Sequence, residues 1–209
     1  MTRSSCKTIV ECISKFTPNQ LEAIRSIGLG ALIDLHCTRL DLSLYPWLVS
    51  KFDPTDCSIT AHGRKVVVTP LDVERIMGIS SNGVEFPLEG PLNDITKMIQ
   101  MYGFQSGILQ VKKLKDDIQS MGDDGEEFKV RFALLALGCI FCPSMKPGIN
   151  QYFLHGLKDV AGLSKINWAK LVLDYLSRGI HNYKENNQSG VSGCLFFLLV
   201  TLLRFPNKF

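Results

Sequence analysis

The segment from Glu127 to Ser144, EFKVRFALLALGCIFCPS, constrains the fold more than any other part of the chain. Its composition predicts a helix, and after Arg131 almost every residue is apolar, so no side of this helix suits water. A helix that is apolar all round is buried among other elements. The sequence therefore predicts a helix at the centre of the core, ended by Pro143 and covered by other helices.

A second apolar segment, CLFFLLVTLL, runs from Cys194 to Leu203. A membrane-spanning helix needs about 20 residues, so this shorter segment predicts a buried helix and no membrane contact. It lies close to the last residue, Phe209. That position is typical either of a terminus packed under other elements or of a larger domain that has been shortened.

The same capping motif predicts where two helices begin. The motifs are TPNQ, from Thr17 to Gln20, and TPLD, from Thr69 to Asp72. In each, the threonine hydroxyl is followed directly by a proline and, three residues after the threonine, by Gln20 or Asp72. Such a capping box satisfies backbone N–H groups that the first turn leaves free, and proline suits the first helical position. Asn167 is placed to cap a longer helix in the same way.

A β-hairpin is predicted just before the second of these helices. CSITA and RKVVV are short β-prone runs that His62 and Gly63 separate, and glycine adopts the positive φ that a tight turn requires. The sequence thus predicts a mainly α fold, a single helical domain with a small β-hairpin near residues 57–68. We expect residues 1–15 to form an N-terminal tail and residues 16–209 to form the domain.

Charge and cysteine content narrow the possible environments. The chain has 23 basic and 20 acidic residues, a balance too even for a typical nucleic-acid-binding surface. Its 7 cysteines are an odd number without regular spacing, and most stand beside apolar residues. Free cysteines of this kind indicate a reducing compartment, the cytosol or the nucleus.

One cysteine pair has the spacing that opens a zinc finger. Cys139 and Cys142 are followed by His155, but no second histidine stands where the fourth ligand of tetrahedral zinc should be. The pair also lies within the apolar helix. We therefore expect buried thiols, and neither a metal nor a cofactor.

A cysteine-protease arrangement can be written from Gln188, Cys194, His155 and Asp174, because SUMO-type proteases place a glutamine six residues before the nucleophile. Leu195 stands where those proteases have glycine, and Asp174 is too close to Cys194 in sequence. Cys194 also begins an apolar helix, where no cation would lower the pKa of its thiol. A non-catalytic chain is the better prediction.

The hairpin region carries a modest excess of basic side chains. They form either a partner-binding surface or the charged, soluble edge that commonly protects an exposed strand. The candidate partner-binding residues are Arg39, Lys51, His62, Arg64, Lys65 and Arg75.

An ordered series of short sequence motifs resembles the plant mobile domain. These motifs are IRSIG, WLV..FD and I..HGRKV.VTP.DV..IMG, followed by FALLALGCIFCPS and VSGCLFFLLV. That family is carried by plant transposable elements and by host proteins derived from them, and it is also labelled aminotransferase-like. No lysine of this chain stands in a recognisable pyridoxal-phosphate setting, so the label implies no activity here.

The resemblance implies a nuclear protein of transposon silencing or genome maintenance with a phosphatase-like protein partner. Together with the missing catalytic spacing, it leads us to expect a non-catalytic protein-interaction module of a transposon-derived plant protein. The alternatives are a fragment of a SUMO-type cysteine protease and a DNA-contacting transposase accessory. The even charge balance disfavours the DNA-contacting role.

Overall fold

The computed structural model describes residues 5–37, 43–61, 63–186 and 188–204. Its fold is mainly helical with small antiparallel sheets, which confirms the predicted fold class. The helices are α1 (Cys6–Ile13), α2 (Pro18–Ser26), α3 (Tyr45–Lys51), α4 (Pro70–Met77), α5 (Thr96–Tyr102), α6 (Val111–Ser120), α7 (Glu126–Ala136), α8 (Trp168–Glu185) and α9 (Leu195–Arg204). The strands are β1 (Phe52–Asp53), β2 (Ser58–Ala61), β3 (Arg64–Val67), β4 (Ile108–Leu109) and β5 (Ile149–Asn150).

Helix α7 lies at the centre of the core, as its apolar composition predicted. Every residue from Val130 to Ala136 is buried, and the helix continues into a π-helical turn, Leu137–Phe141. Arg131 is the charged member of this buried stretch. Its guanidinium donates to Glu127 Oε1 at 2.7 Å and to Asp117 Oδ2 at 3.1 Å, and it lies 5.1 Å from the centroid of the Tyr102 ring. A buried charge is tolerated because it is paired in this way.

Residues 5–15 are part of the domain rather than a tail. Helix α1 buries Cys6, Ile9 and Cys12, and Ser5 N donates to the carbonyl of Cys139 at 2.9 Å. The three buried side chains are spaced by three residues, which aligns them on one face of a helix. The expected N-terminal tail is corrected accordingly over the described residues.

The predicted helix starts are confirmed. Thr17 N donates to Gln20 Oε1 at 3.0 Å, and Gln20 N donates to Thr17 Oγ1 at 3.2 Å. Thr69 N donates to Asp72 Oδ2 at 2.9 Å. Asn167 Oδ1 accepts from Lys170 N at 2.8 Å at the start of α8.

The predicted hairpin is formed by β2 and β3, with Gly63 at φ +75° in the turn. Strand β1 adds a third member that the sequence did not indicate, because a strand of two residues is too short to show alternation. It pairs antiparallel to β2 with Phe52 opposite Ile59, and both of these side chains are buried. The hairpin is therefore attached to the core through this strand.

Helix α8 packs against α4, and α9 packs against α3 and α4. Short 3-10 helices connect these elements within the described residues: Gly30–Asp34, Leu92–Ile95, Gln151–Leu157 and Leu163–Lys165. The predicted C-terminal apolar helix is α9. Within the described ranges, no helix combines the length and the apolar character that crossing a membrane requires.

Candidate functional site

A groove runs alongside α8, where neighbouring cavities share several lining residues. It consists of three adjoining cavities with volumes of about 420, 440 and 440 Å³. Tyr175 lines all three of them. We define the α8 groove by the residues that line at least two of the cavities: Leu88, Glu89, Asn150, Phe153, Tyr175 and Arg178.

One wall of the α8 groove is the loop of residues 80–91, which is fixed to the start of α8. Val84 N donates to the carbonyl of Lys165 and Asn167 N donates to the carbonyl of Val84, both at 2.8 Å. Asn167 Nδ2 also donates to the carbonyl of Ser81 at 2.6 Å. Phe86 of the same loop is buried, with its ring 5.4 Å from that of Trp168. These contacts hold Leu88 and Glu89 at the groove.

The other end of the α8 groove is formed where residues 188–194 cross α8 at very short range. A Cβ added to Gly179 would lie 1.9 Å from the carbonyl oxygen of Ser192, and one added to Gly193 would lie 2.6 Å from Leu176 Cα. Gly193 N donates to the carbonyl of Pro143 at 2.8 Å. Glycine at both crossing positions thus lets the two backbones touch, which brings Gln188 and Ser192 to the groove.

The centre of the α8 groove is aromatic. The rings of Phe153 and Tyr175 lie 6.2 Å apart, and Tyr152 is exposed beside them. Burial, with a smaller contribution from the nearby Cys142 thiol, raises the pKa of Tyr175 to about 12, although Arg178 acts in the opposite direction. The Tyr175 hydroxyl is therefore protonated at neutral pH and can donate as well as accept a hydrogen bond.

Charged groups are distributed unevenly along the α8 groove. At the end nearest Asn167, Lys170 lies 3.5 Å from a carboxylate oxygen of Glu85 and 2.5 Å from one of Asp174. Further along, Arg178 and Glu89 line the same cavity, yet neither belongs to an ion pair with any described residue. This gives the groove two charged groups that remain available to a ligand.

The predicted partner-binding residues do not meet in the α8 groove. Arg64 and Lys65 are on β3, Lys51 ends α3, and Arg75 is on α4. Lys65 forms an ion pair with Asp56, and Arg75 Nη1 lies 3.7 Å from Asp72 Oδ1. Acidic neighbours thus neutralise part of this basic surface. Arg39 and His62 lie outside the described residues.

The candidate protease residues lie in different surroundings. Cys194 is fully buried, its sulfur lies 3.9 Å from that of Met77, and burial raises its pKa to about 12. The carboxylate of Asp174 is bound by Lys170. Neither the cavity lined by Asp174 nor the one lined by His155 reaches Cys194 in the part of the chain that the structure describes. Nothing in this geometry generates the thiolate that such a protease needs.

The Cys139–Cys142 pair lies in the buried π-helical turn and its end. Burial raises the pKa of Cys139 to about 12 and that of Cys142 well above its ordinary value. The chain segments described by the structure contain no cluster of three or more histidine, cysteine or acidic residues suited to a metal ion. His155 is buried, and among the described residues neither of its ring nitrogens has a hydrogen-bond partner.

A protein-family comparison matches residues 2–199 to a family described as Domain of unknown function (DUF8566). Comparisons with curated proteins and with solved structures gave no match. The predicted membership of the plant mobile domain family was wrong, because no such family matches the chain. The expectations of a transposon origin, a nuclear location and a phosphatase-like partner rested on that resemblance and lose their support with it.

Proposed function

We propose that this chain, which belongs to the DUF8566 family of domains of unknown function, is a non-catalytic protein-binding module. In this proposal the α8 groove receives a short extended segment of a partner protein. The observation that carries it is the continuity of three cavities along one helix, with Tyr175 common to all of them.

The length of the α8 groove suits an extended peptide. Asn167 lines one end of the groove and Arg178 lines two of its cavities. The helix between these residues rises about 16 Å, at about 1.5 Å per residue. An extended chain advances about 3.3 Å per residue, so about five residues fit along this stretch.

The lining also favours binding over turnover. Tyr175 and Phe153 offer apolar surface, while Asn150 and Gln188 offer amide groups that can pair with a peptide backbone. Of the described residues that line the three cavities, Cys142 is the one cysteine, and it is buried with a raised pKa and is unsuited to nucleophilic attack. A peptide held here would meet hydrogen-bonding and apolar groups, and the buried Cys142 thiol would stay protonated.

Selection from a displayed library tests this proposal. Random peptides of about seven residues, slightly longer than the groove, would be enriched on the wild-type protein. Their affinities would then be compared with a variant that fills the groove, Glu89→Trp, because Glu89 is an exposed residue at its centre. Val84→Trp is the matched control, since Val84 is exposed on the same loop and does not line the α8 groove.

The proposal predicts that the selected peptides lose roughly tenfold or more in affinity for Glu89→Trp, because the central apolar contacts of an interface dominate its affinity. Their affinity for Val84→Trp should remain that of the wild type. Peptides that bind both variants and the wild type equally, or no enrichment at all, would contradict a role of the groove in protein binding.

A further inference from the structure

We infer that the segment held in the α8 groove carries an acidic side chain whose carboxylate binds Arg178, beside an apolar residue that packs on Tyr175 and Phe153. This inference rests on the proposed function and adds the chemical class of the partner segment. Arg178 is an exposed residue of α8 that lines two of the three cavities.

The N–H donors of the Arg178 guanidinium are not paired with any described residue. The guanidinium forms no hydrogen bond or ion pair with the residues that the structure describes. Asp174 stands one helical turn earlier, where it could pair with Arg178. Its carboxylate is bound instead by Lys170 Nζ at 2.5 Å, on the opposite side of Asp174 along the helix. The arrangement of charges on α8 thus leaves the arginine open to the groove.

A carboxylate is the group that best fits this arginine. The planar guanidinium presents paired N–H donors that match the two oxygens of a carboxylate, and such bonds are about twice as strong as neutral ones. A phosphorylated side chain carries close to two negative charges and is usually bound by several arginines. Here one arginine shares the described lining with the carboxylates of Glu85, Glu89 and Asp174, which would repel a doubly charged group more strongly than a single carboxylate.

The remaining lining determines what stands next to the acidic residue. Tyr175, Phe153 and Leu88 line the central cavity together with Arg178. These side chains offer an apolar surface to one neighbour of the acid. Asn150 and Tyr152 add hydrogen-bonding groups at the rim of the same cavity. The expected segment is therefore uncharged and apolar on one side of a single aspartate or glutamate.

A double-mutant cycle tests this inference with peptides from the selection described above. The measured quantities are the dissociation constants of an acid-containing peptide and of its amide counterpart, Asp→Asn or Glu→Gln, for wild type and for Arg178→Gln. For the wild type we expect the amide peptide to bind roughly tenfold more weakly, the range of a hydrogen-bonded charge pair. For Arg178→Gln we expect the acid and amide peptides to bind alike.

Lys112→Gln is the matched control, because Lys112 is an exposed cation on α6 and does not line the groove. It should keep the wild-type preference for the acid peptide, which excludes a general effect of net charge. Circular dichroism would establish that each variant is folded.

The two proposals fail in different ways. Peptides that lose binding to Glu89→Trp but contain no acidic residue would overturn this inference and leave the proposed function intact. If the change from acid to amide peptide weakened binding equally for wild type and for Arg178→Gln, this inference would also be overturned and the proposed function would remain. If no peptide depends on Glu89, both proposals are overturned.

Discussion

Gly179→Ala should destabilise the protein, although glycine-to-alanine changes within helices usually stabilise. Alanine is about 1 kcal/mol more favourable than glycine in a helix interior. At Gly179, however, the added Cβ would lie 1.9 Å from the carbonyl oxygen of Ser192. The clash is with backbone, so the segment that carries Ser192 must move away from α8.

The size of this effect follows from two opposing contributions. Overpacking in a tightly packed region costs about 1–3 kcal/mol, and a contact with backbone belongs at the upper end of that range. After the gain in helix propensity, the net loss of unfolding free energy is roughly 1–2 kcal/mol. For a domain of this size the thermal midpoint should then fall by roughly 2–8 °C.

Urea unfolding followed by circular dichroism measures this loss directly. Gly122→Ala is the control, because a Cβ at Gly122 would meet nothing within 4 Å, and its unfolding midpoint should be unchanged or slightly higher. If Gly179→Ala were as stable as the wild type, the close crossing of residues 188–194 over α8 would be wrong. The end of the groove that this crossing forms would then be wrong as well.

Three further predictions concern the core and its ionisable groups. Glu127→Gln should lower the unfolding free energy by roughly 1–3 kcal/mol, measured in urea, because it removes a carboxylate that pairs with the buried Arg131. Lys115 lowers the pKa of Glu11 below its ordinary 4.5. The stabilisation by Glu11 is therefore present above pH 4.5 and is lost as the pH falls through the lower pKa of the folded state. The difference in unfolding free energy between wild type and Glu11→Gln should shrink over the same fall in pH. Iodoacetamide followed by mass spectrometry should modify the partly exposed Cys37 and Cys57 before the buried Cys142 and Cys194; early labelling of Cys194 would contradict its burial.

Local sequence signals predicted the local structure well. The caps at Thr17, Thr69 and Asn167 depend on residues within one helical turn, so their sequence spacing is sufficient to recognise them. The central position of α7 followed from the absence of a polar face. Helix α1 could also have been predicted, since Cys6, Ile9 and Cys12 have helical spacing; only the polar residues around them obscured the pattern.

The α8 groove could not be predicted because its lining comes from distant parts of the chain. Leu88, Asn150, Tyr175 and Gln188 meet only after folding. Gly179 hinted at a close approach, but the sequence could not say that Ser192 is the neighbour. The charge of the hairpin surface could not be predicted from the sequence either. Lys65 forms an ion pair with Asp56, and this pair neutralises a charge that appeared free in the sequence.

Mapping a bound peptide by NMR tests whether the α8 groove is the binding site. Amide chemical shifts would be recorded for the wild-type protein during titration with a peptide selected as described above. We expect the largest changes at the residues of the α8 groove, around Leu88–Glu89, Asn150–Phe153 and Tyr175–Arg178. Changes confined to strands β2 and β3 would place binding on the hairpin and contradict peptide binding in the α8 groove.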